Sequence, residues 1–281
     1  MPARLAANIS LLFSDVPYLD RPAAAAEAGF TAIETWWPFG ADPEPSPAEV
    51  DDFLDAVAGA GADLVALNFF AGDMPAGERG VVSLPDRTSE FRKSTETVAR
   101  IAEKTGCALF NALYGVRDAR FEQEEQDATA ISNLRYAAQV VGPAGGTVLI
   151  EALARGENGA YPLMSPNDVA RVIDQCARPN VAMLADFYHF AQNGHDFTSV
   201  LGGFSPLIRH IQIADAPGRH EPGTGAIDFA GLFRAVDTIG YTGWIGVEYR
   251  PADSTAAGLG WAADLGFPLS GMRQFGGKAE S

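Results

Sequence analysis

A chain of 281 residues, 47% hydrophobic and 20% charged, has the composition of an ordinary globular protein, which excludes disordered, collagen-like and coiled-coil classes. Its 36 acidic against 20 basic residues leave a net charge of −16, and such a surface repels nucleic acid and anionic membranes, because phosphate binding needs clustered Lys and Arg. Two distant cysteines, Cys107 and Cys176, exclude a disulfide framework and a structural zinc site, which suits a reducing cytoplasm.

The N-terminus shows no signal-peptide core, and no apolar run approaches the ~20 residues of a membrane helix. From there short runs rich in Val, Ile and Leu alternate with longer amphipathic segments. Strands are predicted at 5–10, 32–36, 64–69, 108–113, 148–151, 181–186, 210–215 and 244–249. Helices are predicted at 18–28, 47–59, 88–104, 122–141, 166–176, 196–203, 228–239 and 254–265. Ser46-Pro47 and Ser165-Pro166 supply an N-cap followed by proline at the first helical position. Ala28-Gly29, Thr105-Gly106 and Ile239-Gly240 mark helix ends. Strict βα alternation at this length predicts an α/β protein, a single (β/α)8 TIM barrel over residues 1–267, with a flexible C-terminal tail over 268–281. A doubly wound sheet is disfavoured, because no GxGxxG follows the first strand.

Barrel chemistry gathers at the C-terminal ends of the strands. Strands five to eight deliver Glu151, Asp186, Gln212 and Glu248, spaced 35, 26 and 36 residues apart, each close to one βα unit. Three carboxylates on one rim repel one another unless a cation lies between them. The set is all oxygen, with Gln212 offering an amide carbonyl, so one divalent metal is expected and Mg²⁺ or Mn²⁺ suits it better than Zn²⁺. The competing reading is that each acid caps a helix or pairs with an arginine.

His189 follows Asp186 by three residues and reads either as a polar contact to substrate or as a surface histidine at a helix start. His210 precedes Gln212 by two, which puts it on the same side of the strand one layer deeper. His195 and His220 read as solvated loop residues. In the Gly- and Pro-rich loop after strand seven, Arg219 either grips a substrate carboxylate or is an exposed turn residue. The loop over 71–80 is long enough for a lid, and Trp36 and Trp37 either wall the pocket or pack between barrel and helix.

Several segments together carry a resemblance. Asn133-Leu134-Arg135-Tyr136, His210-Ile211-Gln212-Ile213-Ala214-Asp215, Glu221-Pro222-Gly223-Thr224-Gly225 and Val247-Glu248-Tyr249 are similar to the hydroxypyruvate isomerase family of xylose isomerase-like barrels, over nearly the whole chain. That resemblance implies a metal-dependent aldose–ketose isomerase, an intramolecular oxidoreductase. It would interconvert hydroxypyruvate and 2-hydroxy-3-oxopropanoate (tartronate semialdehyde) through an enediolate. It further implies that Glu151, Asp186, Gln212 and Glu248 bind the metal, and that Glu151 and Glu248 are also the acid/base catalysts. Glu157 falls where related ketose epimerases hold a substrate hydroxyl, so substrate contacts are expected from His189, Arg219 and Glu157.

Sister 2-oxo-tetronate isomerases share most of these motifs, and a ketose 3-epimerase of the same fold is the other enzymatic alternative. A non-catalytic sugar-acid binding protein is the alternative from a different class. An apurinic-site endonuclease of related fold would need three zinc ions and a basic groove, against which stand four histidines and a charge of −16. The expected partner is a small anionic sugar acid, with no nucleic acid and no membrane; a homo-oligomer is left open.

Overall fold

The computed structural model describes residues 3–269. Eight strands, β1 (Arg4–Asn8), β2 (Ala32–Thr35), β3 (Asp63–Asn68), β4 (Leu109–Asn111), β5 (Thr147–Glu151), β6 (Val181–Asp186), β7 (Ile208–Ile213) and β8 (Trp244–Val247), form a closed barrel in chain order. Every neighbouring pair is parallel, and β1 closes on β8 from Arg4↔Trp244 to Ala7↔Val247. Ten helices surround it: α1 (Arg21–Glu27), α2 (Pro47–Ala60), α3 (Thr88–Thr105), α4 (Gln123–Val141), α5 (Pro166–Cys176), α6 (Phe187–Gln192), α7 (Phe197–Phe204), α8 (Phe229–Thr238), α9 (Thr255–Gly258) and α10 (Gly260–Asp264). The TIM barrel expected from the βα alternation is therefore the fold. The expected tail lies, from residue 270 on, outside the described residues.

Local chemistry starts and stops these helices as the sequence suggests. Ser46 accepts from the Glu49 N–H and the Glu49 side chain accepts from the Ser46 N–H, a complete capping box ahead of α2. Ser165 caps α5 with Pro166 in its first turn. Gly106, at φ +74°, ends α3 in the left-handed region where a Cβ would be strained.

Two expectations need correction. The chain does not loop after β6: Asp186 Oδ1 accepts from the Tyr188 N–H at 2.8 Å, so α6 begins directly at the strand end and carries His189 inside it. The expected helix over 254–265 is two short ones, α9 and α10, meeting at Gly258-Leu259-Gly260, where glycine is a poor helix former.

Side-chain alternation then decides what faces the barrel interior. Leu109, Leu149, Ala182 and Leu184 form a small apolar cluster separate from the main core. Asn111, Glu151 and Asp186 stand two residues further along the same strands and so share that interior face one layer higher. The main core lies between barrel and helices, where Phe69 packs on Phe91 and Phe110 with ring centroids 5.4 and 6.0 Å apart. No helix among the described residues is long and apolar enough to cross a membrane.

Candidate active site

Glu151, Asp186, Gln212 and Glu248 are all buried at the C-terminal end of the barrel, exposed by 4, 2, 3 and 3%. Glu151 ends β5, Asp186 ends β6, and Gln212 of β7 lies in register with Asp186. Glu248 is just beyond β8, its N–H still donating to Ile213 O at 3.0 Å. Glu151 Oε2 accepts from Asn111 Nδ2 at 2.7 Å. Glu248 accepts from Trp36 Nε1 and, at 3.0 Å, from Arg219 Nη2.

Burial raises the pKa of all three acids. Glu248 is pushed up to about 7, with the Arg219 charge opposing the rise and Asp186 adding to it. Glu151 is raised well above the carboxylate range by burial and by the charges of Asp186 and Glu248. Asp186 is raised by burial, with Arg219 opposing. Among the buried acceptors without a donor are three at this site, Asp186 Oδ2, Gln212 Oε1 and Asn111 Oδ1. Buried oxygens without a donor, set beside two further carboxylates, are the chemistry of a hard-cation site, and these residues fit a divalent ion.

Glu151, Asp186 and His189 present atoms within 4.8 Å of one another, close enough to hold a metal. The histidine, however, is committed elsewhere. His189 Nδ1 accepts from the Ala154 N–H at 3.0 Å, and burial drives its pKa well below the ordinary value, so the ring is neutral. Its proton is thereby assigned to Nε2, which lies 3.6 Å from Glu151 Oε1 and 3.5 Å from Asp186 Oδ2. An N–H is a donor, not a ligand. Of the two readings of His189, the surface one fails, since the residue is 2% exposed and lines the cavity above the acids.

Arg219 is placed differently from an outward-reaching anchor. Its Nη2 lies 3.0 Å from Glu248 Oε2 and 3.6 Å from Asp186 Oδ2, and its guanidinium stacks over Tyr188 with 5.1 Å to the ring centroid. The reason is electrostatic: in a nest of buried acids a guanidinium is drawn inward. Its Nε is buried without an acceptor. Glu157, on the loop after β5, accepts from Tyr188 Oη at 2.9 Å and from Gln192 Nε2 at 2.6 Å. Burial holds the Tyr188 phenol up at about 12, so it remains a donor.

The cavity over these groups has a volume of about 820 Å³. Glu151, His189, Arg219, Glu157 and Glu248 line it, as do both Trp36 and Trp37. Met74, Pro75 and Arg79 of the loop over 71–80 also face it, so that loop borders the site. His210 is fully buried and bonded to Glu34, the deeper role its position suggested. His195 and His220 are half-buried rather than solvated, their rings on the backbone oxygens of Met164 (3.2 Å) and Arg250 (2.8 Å).

Three residues escaped the sequence reading. Glu34 of β2 takes the Gln212 amide at 2.6 Å, Asn111 holds Glu151, and Asp215 organises the loop that carries Arg219. Asn111 and Glu34 end or nearly end their strands, as the expected ligands do, and extending the strand-end search to strands two and four would have found both. Asp215 ends the predicted seventh strand, so the same criterion marks it, but its loop-building role depends on main-chain N–H groups up to twelve residues away.

The model of one family, the xylose isomerase-like TIM barrels, matches residues 22–265. A putative hydroxypyruvate isomerase of Streptomyces coelicolor is 41% identical over 259 residues, spanning 90% of this chain and 93% of that one. A 2-oxo-tetronate isomerase of Pectobacterium atrosepticum is 37% identical, spanning 92% and 96%. A crystal structure titled AP endonuclease, family 2, from Brucella melitensis superposes with a TM-score of 0.84 at 33% identity, covering 94% of this chain and 99% of that one.

Proposed function

The chain belongs to the xylose isomerase-like TIM barrel family, within its hydroxypyruvate isomerase and 2-oxo-tetronate isomerase relatives, and from that premise we propose how this isomerase works. The reaction is the interconversion of hydroxypyruvate and 2-hydroxy-3-oxopropanoate, a small anionic sugar acid converted through an enediolate. One observation carries it: two buried carboxylates, Glu151 and Glu248, line the cavity, with Asp186 buried beside them. Carboxylates so placed can take a proton from a substrate carbon and give one back.

Glu151, Asp186, Gln212 and Glu248 would hold one divalent ion, Mg²⁺ or Mn²⁺ by the hardness of the donors. When bound, such an ion polarises the substrate carbonyl and steadies the enediolate. The remaining work falls to the chain. One of Glu151 and Glu248 takes the proton from one carbon and the other gives its own proton to the neighbouring carbon. The substrate hydroxyl proton then restores the second glutamate, and the first passes its proton to the former carbonyl oxygen. His189 donates from Nε2 to a substrate oxygen, which the Ala154 N–H enforces by occupying Nδ1. Arg219 offsets the charge of an anionic substrate from the cavity wall, and Glu157 accepts from a substrate hydroxyl there. Trp36 Nε1, on Glu248, keeps that carboxylate facing the substrate. We place the enzyme in a reducing cytoplasm, for which two free, buried cysteines speak.

The cavity favours a second substrate within the same chemistry. Its volume of about 820 Å³ exceeds what a three-carbon acid fills, and a four-carbon 2-oxo-tetronate would use more of it. A coupled assay with each acid under Mg²⁺ and Mn²⁺ decides: the larger kcat/KM identifies the substrate, and turnover of neither sinks the isomerase reading of this site. Glu151→Gln and Glu248→Gln should each lower kcat on the order of 10²-fold or more, since an amide keeps an oxygen but cannot carry the proton. The variant lacking the abstracting glutamate should no longer bring solvent deuterium into the substrate.

A further inference from the structure

Gln212 poses a problem that no other residue of the expected ligand set poses. An amide has two nearly identical ends, and turning it over exchanges oxygen for nitrogen without changing its shape. Only the oxygen can serve a cation. Yet in register with Gln212 stands Asp186, whose Oδ2 is buried and has no donor. An isolated amide at that position would turn its N–H₂ toward the acids, which is the wrong way round for a ligand.

We propose that Glu34 is a positioning residue that holds the Gln212 amide with its nitrogen turned away from the site, leaving the oxygen for the cation. This rests on the reading of Gln212 as a cation ligand given above. Glu34 ends the hydrogen-bonding competition with a charge-assisted bond, Gln212 Nε2 donating to its Oε1 at 2.6 Å. The Gln212 oxygen is then left buried with no protein donor.

Glu34 is itself pinned. It belongs to β2 and reaches across the barrel interior to β7, where His210 Nε2 donates to its other oxygen. Asn8 Nδ2 of β1 donates to Oε1 at 2.9 Å. The orientation of Asn8 is in turn set from the main chain, because the Ser10 N–H donates to its Oδ1 at 3.1 Å. Orientation thus passes from one backbone N–H through Asn8 and Glu34 to Gln212. The carboxylate has room only because β8 offers Gly246 beneath it: a Cβ there would overlap both Glu34 oxygens. Glu34 is 1% exposed and does not line the cavity, so it acts through Gln212 and not on substrate.

The test is a double-mutant cycle read by Mn²⁺ binding, using calorimetry or the loss of the free-ion electron resonance signal, with no substrate present. Glu34→Gln removes the charge that outcompetes the acids and should weaken Mn²⁺ binding about 10–100-fold, the usual cost of losing a partner behind a ligand. In a Gln212→Ala background, where there is no amide to orient, the same substitution should cause no further loss. Equal losses in both backgrounds would mean that Glu34 acts on the ion through its charge alone, and would overturn the proposal. If Asp186→Asn and Gln212→Ala bind Mn²⁺ as the native protein does, the cation reading of the site fails first and the proposal with it. Should Glu34→Gln not fold, the exchanged pair Glu34→Gln with Gln212→Glu keeps one amide facing one carboxylate. That folded protein must bind Mn²⁺ within a few-fold of native; losing the ion overturns the proposal.

Discussion

Arg219 is the residue whose observed place most changes the picture of the site. A guanidinium 3.0 Å from Glu248 and 3.6 Å from Asp186 supplies part of the positive charge the acids require. It therefore competes with a divalent ion for the same carboxylates. Arg219→Ala should raise KM for an anionic substrate and, by removing a like charge, tighten Mn²⁺ binding several-fold; unchanged or weaker binding in a calorimetric titration would show that Arg219 does not contest the site. The pH dependence follows from Glu248. Its folded-state pKa of about 7 lies above the ordinary carboxylate value, so the folded protein keeps a proton that the unfolded chain releases. Stability from this group consequently falls as pH rises from the ordinary carboxylate range through 7. A divalent ion binds the charged form and reverses that cost, so Mn²⁺ should raise Tm more at about pH 8 than at about pH 5.5. Equal shifts in differential scanning calorimetry would count against the carboxylates as ligands.

The element that delivers Arg219 is a loop built around one buried carboxylate. Asp215 Oδ2 accepts from the Gly223 and Gly225 N–H groups at 2.7 and 2.8 Å, and Oδ1 accepts from Ala216 and Ile227 at 2.8 and 3.1 Å. Its main-chain oxygen accepts from the Arg219 N–H at 3.0 Å. Gly225 admits no side chain, since a Cβ would overlap Ala216 O. Arg219 itself holds φ +59°, a left-handed conformation that a non-glycine residue keeps only when its surroundings enforce it. Asp215→Asn turns an N–H₂ toward two backbone donors and should cost about 1–3 kcal/mol of stability. It should also raise KM, with faster hydrogen exchange at Gly223 and Gly225. Unchanged exchange there would remove Asp215 as the organiser of the loop.

For the whole molecule, large side chains packed between barrel and helices hold the helices on the barrel. Phe110 of β4 is fully buried against Phe69 and, through it, against Phe91 of α3. Phe110→Ala should destabilise by about 3–5 kcal/mol, seen as a lowered midpoint in urea with the slope unchanged. A loss below about 1 kcal/mol would mean that the neighbouring rings collapse into the space. Charge acts at this scale too. With 16 net negative charges, the surface opposes approach of an anionic substrate, which makes the arginines at the cavity, Arg219 and Arg79 among them, the local counterweight.

What the sequence determined by itself is the barrel and the place of the candidate residues on its rim. Short apolar runs and amphipathic stretches alternate along the chain, and a residue at a strand end is at the barrel rim whatever its partners are. Glu151, Asp186, Gln212 and Glu248 were legible on that ground alone, as were the Ser46 and Ser165 caps, which depend on residues three positions away. Tertiary structure alone decided who faces whom. Glu34 meets Gln212 across 178 residues, and nothing local to either one marks the pair. The helix at Asp186 hinges on one carboxylate oxygen turning back to a main-chain N–H, while the inward course of Arg219 is set by the sum of the surrounding charges. Periodicity is a property of neighbours along the chain. Hydrogen-bond partners and fields belong to neighbours in space, and only barrel closure brings those together.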